Sequence, residues 1–188
     1  MLRDRDANGK LQVNPDKFPL GWEDVTSFIH SLGMKSGLYT SKSQYTCAGF
    51  NASCMHEMID AATFASWNID YVKEDSCGSC RNNDTEDYVQ MALAITASGR
   101  PMVQTDEGAP DNFNCSTYGG CGNAKRVGHD ISPSYTSMQS LVDMASGLWV
   151  YAHNSTDGRG GWWNDLECVW AVAFAFWRLR ASCAVAFQ

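Results

Sequence analysis

Apolar residues recur along this chain with two alternating periods. Over residues 24–32, Val25, Phe28, Ile29 and Leu32 fall on one stripe of a helix, and Gly33 follows as a stop. Lys35-Ser-Gly-Leu-Tyr-Thr40 reads as a short strand, and a loop of small and polar residues runs on through Thr46-Cys-Ala-Gly-Phe50. A second helix over residues 58–67 carries Ile59, Ala62, Thr63 and Phe64, and leads into the apolar strand that ends at Asp75. Residues 84–98 form a third helical pattern through Tyr88, Met91, Ala92 and Ile95, with Gly99 as its C-cap. Pro101-Met-Val-Gln-Thr105 is the next strand candidate. Residues 127–131, a helix over 134–144 and a strand over 148–152 complete the series.

Strands that alternate with helices of about ten residues imply βαβ units in a parallel sheet, the α/β class. About five such units are legible, and polar or charged residues gather just after each strand. That is the order of a (β/α)8 TIM barrel with its active face at the strand C-termini. A complete barrel takes about 250 residues, so this chain is expected to form an incomplete one.

The strand Ile69-Asp-Tyr-Val-Lys-Glu-Asp75, closed by Ser76-Cys77, carries the most chemistry. Side chains alternate along a strand, so Lys73 and Asp75 share one face and Glu74 points the other way. A cation beside Asp75 favours the ionised carboxylate that a nucleophile requires. By itself the pattern fits equally well an aspartate capping the following helix.

Composition narrows the setting. With 188 residues, 44% hydrophobic and 19% charged, the chain has the length and composition of one folded domain. A net charge of −7 and a pI near 4.9 argue against nucleic acid or an anionic membrane as partner. No window reaches the roughly 18 apolar residues that a membrane span needs; the nearest approach, residues 169–177, ends at Arg178 and Arg180. Eight cysteines (Cys47, Cys54, Cys77, Cys80, Cys115, Cys121, Cys168 and Cys183) point to an oxidising compartment. Cys77-Gly-Ser-Cys80 has metal-ligand spacing, but no second pair completes a zinc site, so neither metal nor cofactor is expected. Glycosylation acceptors at Asn51, Asn83, Asn114 and Asn154 agree with the secretory pathway, ending outside the cell or in a lysosome or vacuole. Residues 1–6 are charged and are not a signal peptide, so the chain is expected to lack its beginning.

Several ordered segments resemble the family 27 glycoside hydrolases, the α-galactosidase or melibiase family. They are the loop over residues 5–19, Leu32-Gly-Met-Lys-Ser-Gly-Leu-Tyr39, Thr46-Cys-Ala-Gly-Phe50, Asp70-Tyr-Val-Lys-Glu-Asp-Ser-Cys77 and Gly160-Gly-Trp-Trp-Asn-Asp165. The resemblance implies a retaining α-galactosidase that acts on α-galactoside oligosaccharides or glycoconjugates. Asp75 would be its nucleophile, and Asp130, in the pattern Arg126-Val-Gly-His-Asp130, its acid/base. Retaining hydrolysis needs two carboxyl groups about 5–5.5 Å apart, one to attack the anomeric carbon and one to protonate the leaving oxygen and later activate water. Asp130 would then need a pKa above that of Asp75. The resemblance further implies Tyr39, Lys73, Arg126 and Glu167 as sugar contacts and a Cys47–Cys77 disulfide bracing the nucleophile strand. Glu107, after the fifth barrel strand, fits the galactose form, whereas a small residue there goes with N-acetylgalactosamine. Cys115–Cys121 and Cys54–Cys80 are expected from proximity in sequence alone.

The resemblance also brings differences. The first two strands and the last are expected to be missing, with a partial catalytic domain over residues 1–168, a divergent tail over 169–188, and little activity in the chain alone. Glu74 replaces the family's aromatic residue between strand and helix layer, where a carboxylate needs a partner. Asp106 stands where the family has cysteine. An α-N-acetylgalactosaminidase, a β-L-arabinopyranosidase and a non-catalytic carbohydrate-binding remnant are the alternatives. His30 is expected as a packing or surface residue, His56-Glu57 lacks the second histidine of a metalloprotease, and Trp162 and Trp163 fit sugar stacking and core packing equally.

Overall fold

The computed structural model describes residues 1–81, 84–108, 122–148, 163–165 and 183–185. Two compact units make up the chain: Met1–Gly122 with Ser182–Gln188, and Asn123–Ala181.

In the first unit, helix α1 (Trp22–Ser31) carries Glu23 and Asp24 in its first turn, where acidic groups complement the helix dipole. It buries Trp22, Thr26 and Ile29, whereas Phe28 and Leu32 are 64% and 55% exposed. The buried stripe is thus rotated from the one that hydrophobicity alone suggests. Thr26 can face inward because its hydroxyl donates back to Trp22 O at 3.1 Å. Strand β1 (Lys35–Ser41), helix α2 (Glu57–Ser66), strand β2 (Tyr71–Asp75), helix α3 (Asp84–Ala97) and strand β3 (Val103–Asp106) follow in the expected order. Asn68 takes a φ of 58° just beyond α2, the left-handed conformation with which helices commonly end.

β1 and β2 pair in parallel with Tyr39 opposite Lys73 and Ser41 opposite Asp75, and β2 and β3 pair in parallel with Lys73 opposite Thr105 and Glu74 opposite Asp106. A short strand late in the chain, Cys183–Val185, pairs in parallel with Lys35–Gly37 on the other edge of β1, in a stretch to which no element was assigned from sequence. Alternation sorts the side chains. Val72 and Glu74 are fully buried, while Tyr71, Lys73 and Asp75, on the opposite face, are half-buried. The apolar core joins Leu38, Ile69 and Val72 to Ala61, Phe64 and Trp67 around α2 and to Met91, Ala94 and Ile95 of α3. Gly37 makes room on the other face, where a Cβ would stand 3.1 Å from the Tyr71 ring.

The N-terminal segment folds back on itself as a hairpin, with Arg5 bridged to Leu11. Arg5 then clamps it to α2: its Nη1 and Nη2 donate to the two oxygens of Asp60 at 2.6 and 2.8 Å, and to Gly9 O and Ala52 O at 2.7 Å each.

The second unit contains strand β4 (Ala124–Arg126), helix α4 (Tyr135–Gly147) and strand β5 (Trp163–Asp165), with β4 and β5 parallel and Arg126 opposite Asp165. The strand expected over 127–131 is displaced toward the N-terminus. Gly128, at φ 103°, breaks the extended backbone, and a Cβ there would come within 2.6 Å of Leu141. Val127 remains buried, but His129 and Asp130 stand on an exposed loop rather than on alternate faces of a strand. Ser134 caps α4 by accepting from Ser137 N at 3.2 Å. Leu148 closes α4 instead of starting a strand; the remainder of the strand expected over 148–152 lies outside the described residues. Labelling the Cys183–Val185 strand β6 completes the chain order.

Candidate active site

Asp75 is the last residue of β2, placed where the strand leaves the core. Tyr39, one strand over, donates its hydroxyl to Asp75 Oδ2, and Ser76 N donates to Asp75 Oδ1 at 2.6 Å. Burial, reinforced by the Asp75 hydrogen bond and charge, pushes the Tyr39 phenol up from its ordinary value, so it stays a donor. Both hydrogen bonds hold the Asp75 side chain in a fixed orientation.

Lys73 forms its ion pair with Glu107, Nζ to Oε1 at 2.7 Å. The cation on the Asp75 face is thus shared with the next strand instead of serving Asp75 alone. Glu107 is 2% exposed, so it is no solvated loop acid. Its own N–H extends the β2–β3 ladder to Glu74 O at 2.8 Å, and Tyr88 donates its hydroxyl to Glu107 O.

The Cys47–Cys77 disulfide is present and ties the loop after β1 to the end of β2. The sulfurs of Cys47 and Cys77 lie 3.7 and 3.4 Å from Asp75 Oδ2. Cys47, Asp75 and Cys77 are the one group among the described residues with metal-ligand proximity. Its two sulfurs are joined to each other and offer no thiolate to an ion. A second disulfide, Cys54–Cys80, staples the start of α2 to the loop after β2, also as expected. Cys115–Cys121 lies outside the described residues, as do Glu167 and Trp162.

In the second unit Arg126 Nη1 bonds Asp130 Oδ1 at 2.8 Å, and its Nε donates to Gly128 O at 3.2 Å. The Asp130 side chain is 88% exposed. Trp163 is 70% exposed at the start of β5, which removes core packing as its role. His30 is a packing residue: its Nε2 lies 2.6 Å from Asp70 Oδ2, beside Arg100 Nη2 at 2.9 Å from Asp70 Oδ1.

Sequence reasoning missed the polar layer behind the strand. Arg81 Nη1 bonds Glu57 Oε1 at 2.8 Å and Asp87 Oδ1 at 3.0 Å, and Lys42 Nζ lies 3.8 Å from Asp87 Oδ2. The signal for it was available in Gln104 and Asp106, polar residues at alternate positions of β3 in register with Val72 and Glu74.

A family model described as alpha galactosidase A, of the melibiase group, matches residues 1–184, extending past the last motif recognised from sequence. The alpha-N-acetylgalactosaminidase of Rattus norvegicus is 34% identical over 193 residues, covering 96% of this chain and 45% of the relative. Alpha-galactosidase A of Homo sapiens is 33% identical over 175 residues, covering 88% and 39%. The crystal structure of alpha-galactosidase I from Mortierella vinacea superposes with a TM-score of 0.75 at 29% identity, over 88% of this chain and 47% of that one. The chain spans less than half the length of these relatives. On the match over nearly its whole length, the chain belongs to the melibiase (α-galactosidase) family of glycoside hydrolases, and its parallel βα units are part of that family's (β/α)8 barrel.

Proposed function

We propose that the protein is a retaining α-galactosidase, to which this chain contributes a partial catalytic domain over residues 1–168. The observation that carries this reading is Asp75 at the C-terminal end of a parallel strand, oriented by Tyr39 and Ser76 N, with the Lys73–Glu107 pair on the same face of the next strand position. Asp75 attacks the anomeric carbon and forms the glycosyl-enzyme intermediate. Asp130 protonates the leaving oxygen and then takes a proton from the incoming water. Lys73 and Glu107 offer a donor and an acceptor to adjacent sugar hydroxyls, with Tyr39 and Arg126 as further contacts. Glu167 is assigned to sugar binding by resemblance alone. By the family resemblance, a glutamate at the Glu107 position goes with galactose and a small residue with N-acetylgalactosamine, which favours galactose here. The substrates are terminal α-galactosides of oligosaccharides or glycoconjugates. Two disulfides support passage through the secretory pathway. Among the described residues no helix is long and apolar enough to cross a membrane.

The test is hydrolysis of 4-nitrophenyl α-galactoside by the full-length protein, followed by NMR of the first sugar released. Retention is expected, and Asp75→Asn should abolish turnover while the protein still folds, because the amide keeps the shape and loses the nucleophile. Net inversion, or undiminished turnover by Asp75→Asn, overturns the proposed mechanism. Faster cleavage of the N-acetylgalactosaminide overturns the sugar assignment.

A further inference from the structure

Glu74 sits between Lys73 and Asp75 on β2 but faces the opposite way, fully buried under the helices. Charged and titratable groups act on it from several elements, Asp106 on β3, Glu57 on α2, and Asp87 and Tyr88 on α3, while Lys42 after β1 and Arg81 after β2 lie at Asp87. Arg81 bonds both Glu57 and Asp87, and Lys42 lies beside Asp87, so these two cations neutralise the helix-side acids.

The sheet-side acids meet across the ladder. The ladder sets Glu74 opposite Asp106, and Gln104 Nε2 lies 2.8 Å from Glu74 Oε2, 2.8 Å from Asp106 Oδ1 and 3.1 Å from Tyr88 O. An amide nitrogen has two hydrogens for these three acceptors. Glu74 Oε1 has no hydrogen-bond partner. The Asp106 carboxylate cannot swing away from the pair freely, because Gly122 packs so closely that a Cβ there would stand 2.7 Å from both its oxygens. A carboxylate with one bare oxygen facing another carboxylate in a dry layer costs far more than a neutral carboxyl group there.

We infer that Glu74 is a positioning residue that holds a proton in the working enzyme, and that this proton keeps the ends of β2 and β3 aligned so that Asp75 and Glu107 stay in place on the opposite face. Burial, with Asp106 and Glu57 adding to it, pushes the Glu74 carboxyl well above its ordinary value. When Glu74 ionises, two like charges occupy opposed ladder positions. The strain falls on the Glu107 N–H to Glu74 O hydrogen bond of 2.8 Å, and through Glu107 on its pair with Lys73. The site is thereby restricted to the pH range below the titration of Glu74. This positioning role rests on the reading of Asp75 as nucleophile.

The sign follows from linkage. A carboxyl whose folded pKa is raised contributes stability that is fully present below its unfolded value, and that stability is lost as pH rises through the folded pKa. Glu74→Gln keeps the shape and is neutral at every pH. The wild-type melting temperature should therefore fall toward alkaline pH more steeply than that of Glu74→Gln. The alkaline limb of kcat/KM on 4-nitrophenyl α-galactoside should move to higher pH in the variant, with the acid limb unchanged. Coincident melting curves, or an unmoved alkaline limb, overturn the inference. In the infrared, the carbonyl stretch of a protonated carboxyl should be present in the wild type at neutral pH and lose intensity in Glu74→Gln, which separates Glu74 from the acid/base; absence of the stretch in the wild type, or no difference between the two proteins, overturns the inference. A wild type without glycosidase activity overturns the nucleophile reading and with it the positioning role, while the melting and infrared arms still decide whether Glu74 carries the proton.

Discussion

Removing Arg5 should unfasten the N-terminal hairpin from the barrel layer. Arg5 and Asp60 form a two-pronged pair in which the Asp60 side chain is 0% exposed and that of Arg5 11% exposed. Arg5→Ala deletes both prongs and the bonds to Gly9 O and Ala52 O, and leaves a carboxylate buried without its counter-ion. Breaking one side of such a pair costs about 3–5 kcal/mol, well above the 1 kcal/mol or less of an exposed pair. At a slope near 2 kcal/mol per molar, the urea midpoint should drop by about 1.5–2.5 M. Burial already pushes the Asp60 carboxyl upward against the pull of Arg5. Without Arg5 it escapes part of the cost by taking up a proton, so the loss should be smaller at acidic than at neutral pH. Arg5→Met with Asp60→Leu should recover most of the loss, since an apolar pair of similar volume substitutes well for a buried ion pair. A loss below about 1 kcal/mol for Arg5→Ala, the range of an exposed pair, would refute the reasoning, as would a double variant no more stable than the single one.

Two further outcomes are expected beyond those set out for Asp75 and Glu74. Replacing both Cys47 and Cys77 by serine opens a loop of 30 residues' separation and should lower stability by about 3–4 kcal/mol, read from urea unfolding under non-reducing conditions; an unchanged midpoint would show that the loop is ordered without the bridge. At the other end of β2, burial works against the Asp70 charge, but the bonds from Ser36 N and His30 outweigh it and hold its carboxyl below the ordinary value. Its stabilisation is therefore present above the ordinary aspartate range and is lost as pH falls through the lowered folded value, so the melting-temperature gap between wild type and Asp70→Asn should close on acidification. A gap that widens instead would reverse the assignment.

Local pattern carried much of the fold. The helices α1, α2, α3 and α4 and the strands β1, β2 and β3 stand within a few residues of where hydrophobic period and glycine stops place them, because each is decided by neighbours three or four positions away or by simple alternation. The displaced strand at Ala124–Arg126 shows where that reasoning ends. Val127 supplied an apolar signal, but the backbone at Gly128 turns to φ 103° to clear Leu141 of α4, a contact across thirteen residues that period alone cannot register. The inward face of α1 was misjudged for a related reason, since Thr26 is buried at no polar cost once its hydroxyl reaches Trp22 O.

The candidate site divides in the same way. From the sequence alone came the alternation that sets Lys73 and Asp75 on one face of β2 and Glu74 on the other, the cysteines flanking Asp75, and the ordered motifs that resemble one family. Strand alternation and short-range order are properties of the covalent chain, so they are legible before any fold exists. Tertiary structure alone decided the partners: Lys73 with Glu107, Tyr39 on Asp75, Arg5 on Asp60 across 55 residues, and Glu74 against Asp106 with Gln104 between them. Pairing energies depend on distance and on removal from water, and both are set when strands and helices distant in sequence close over one another.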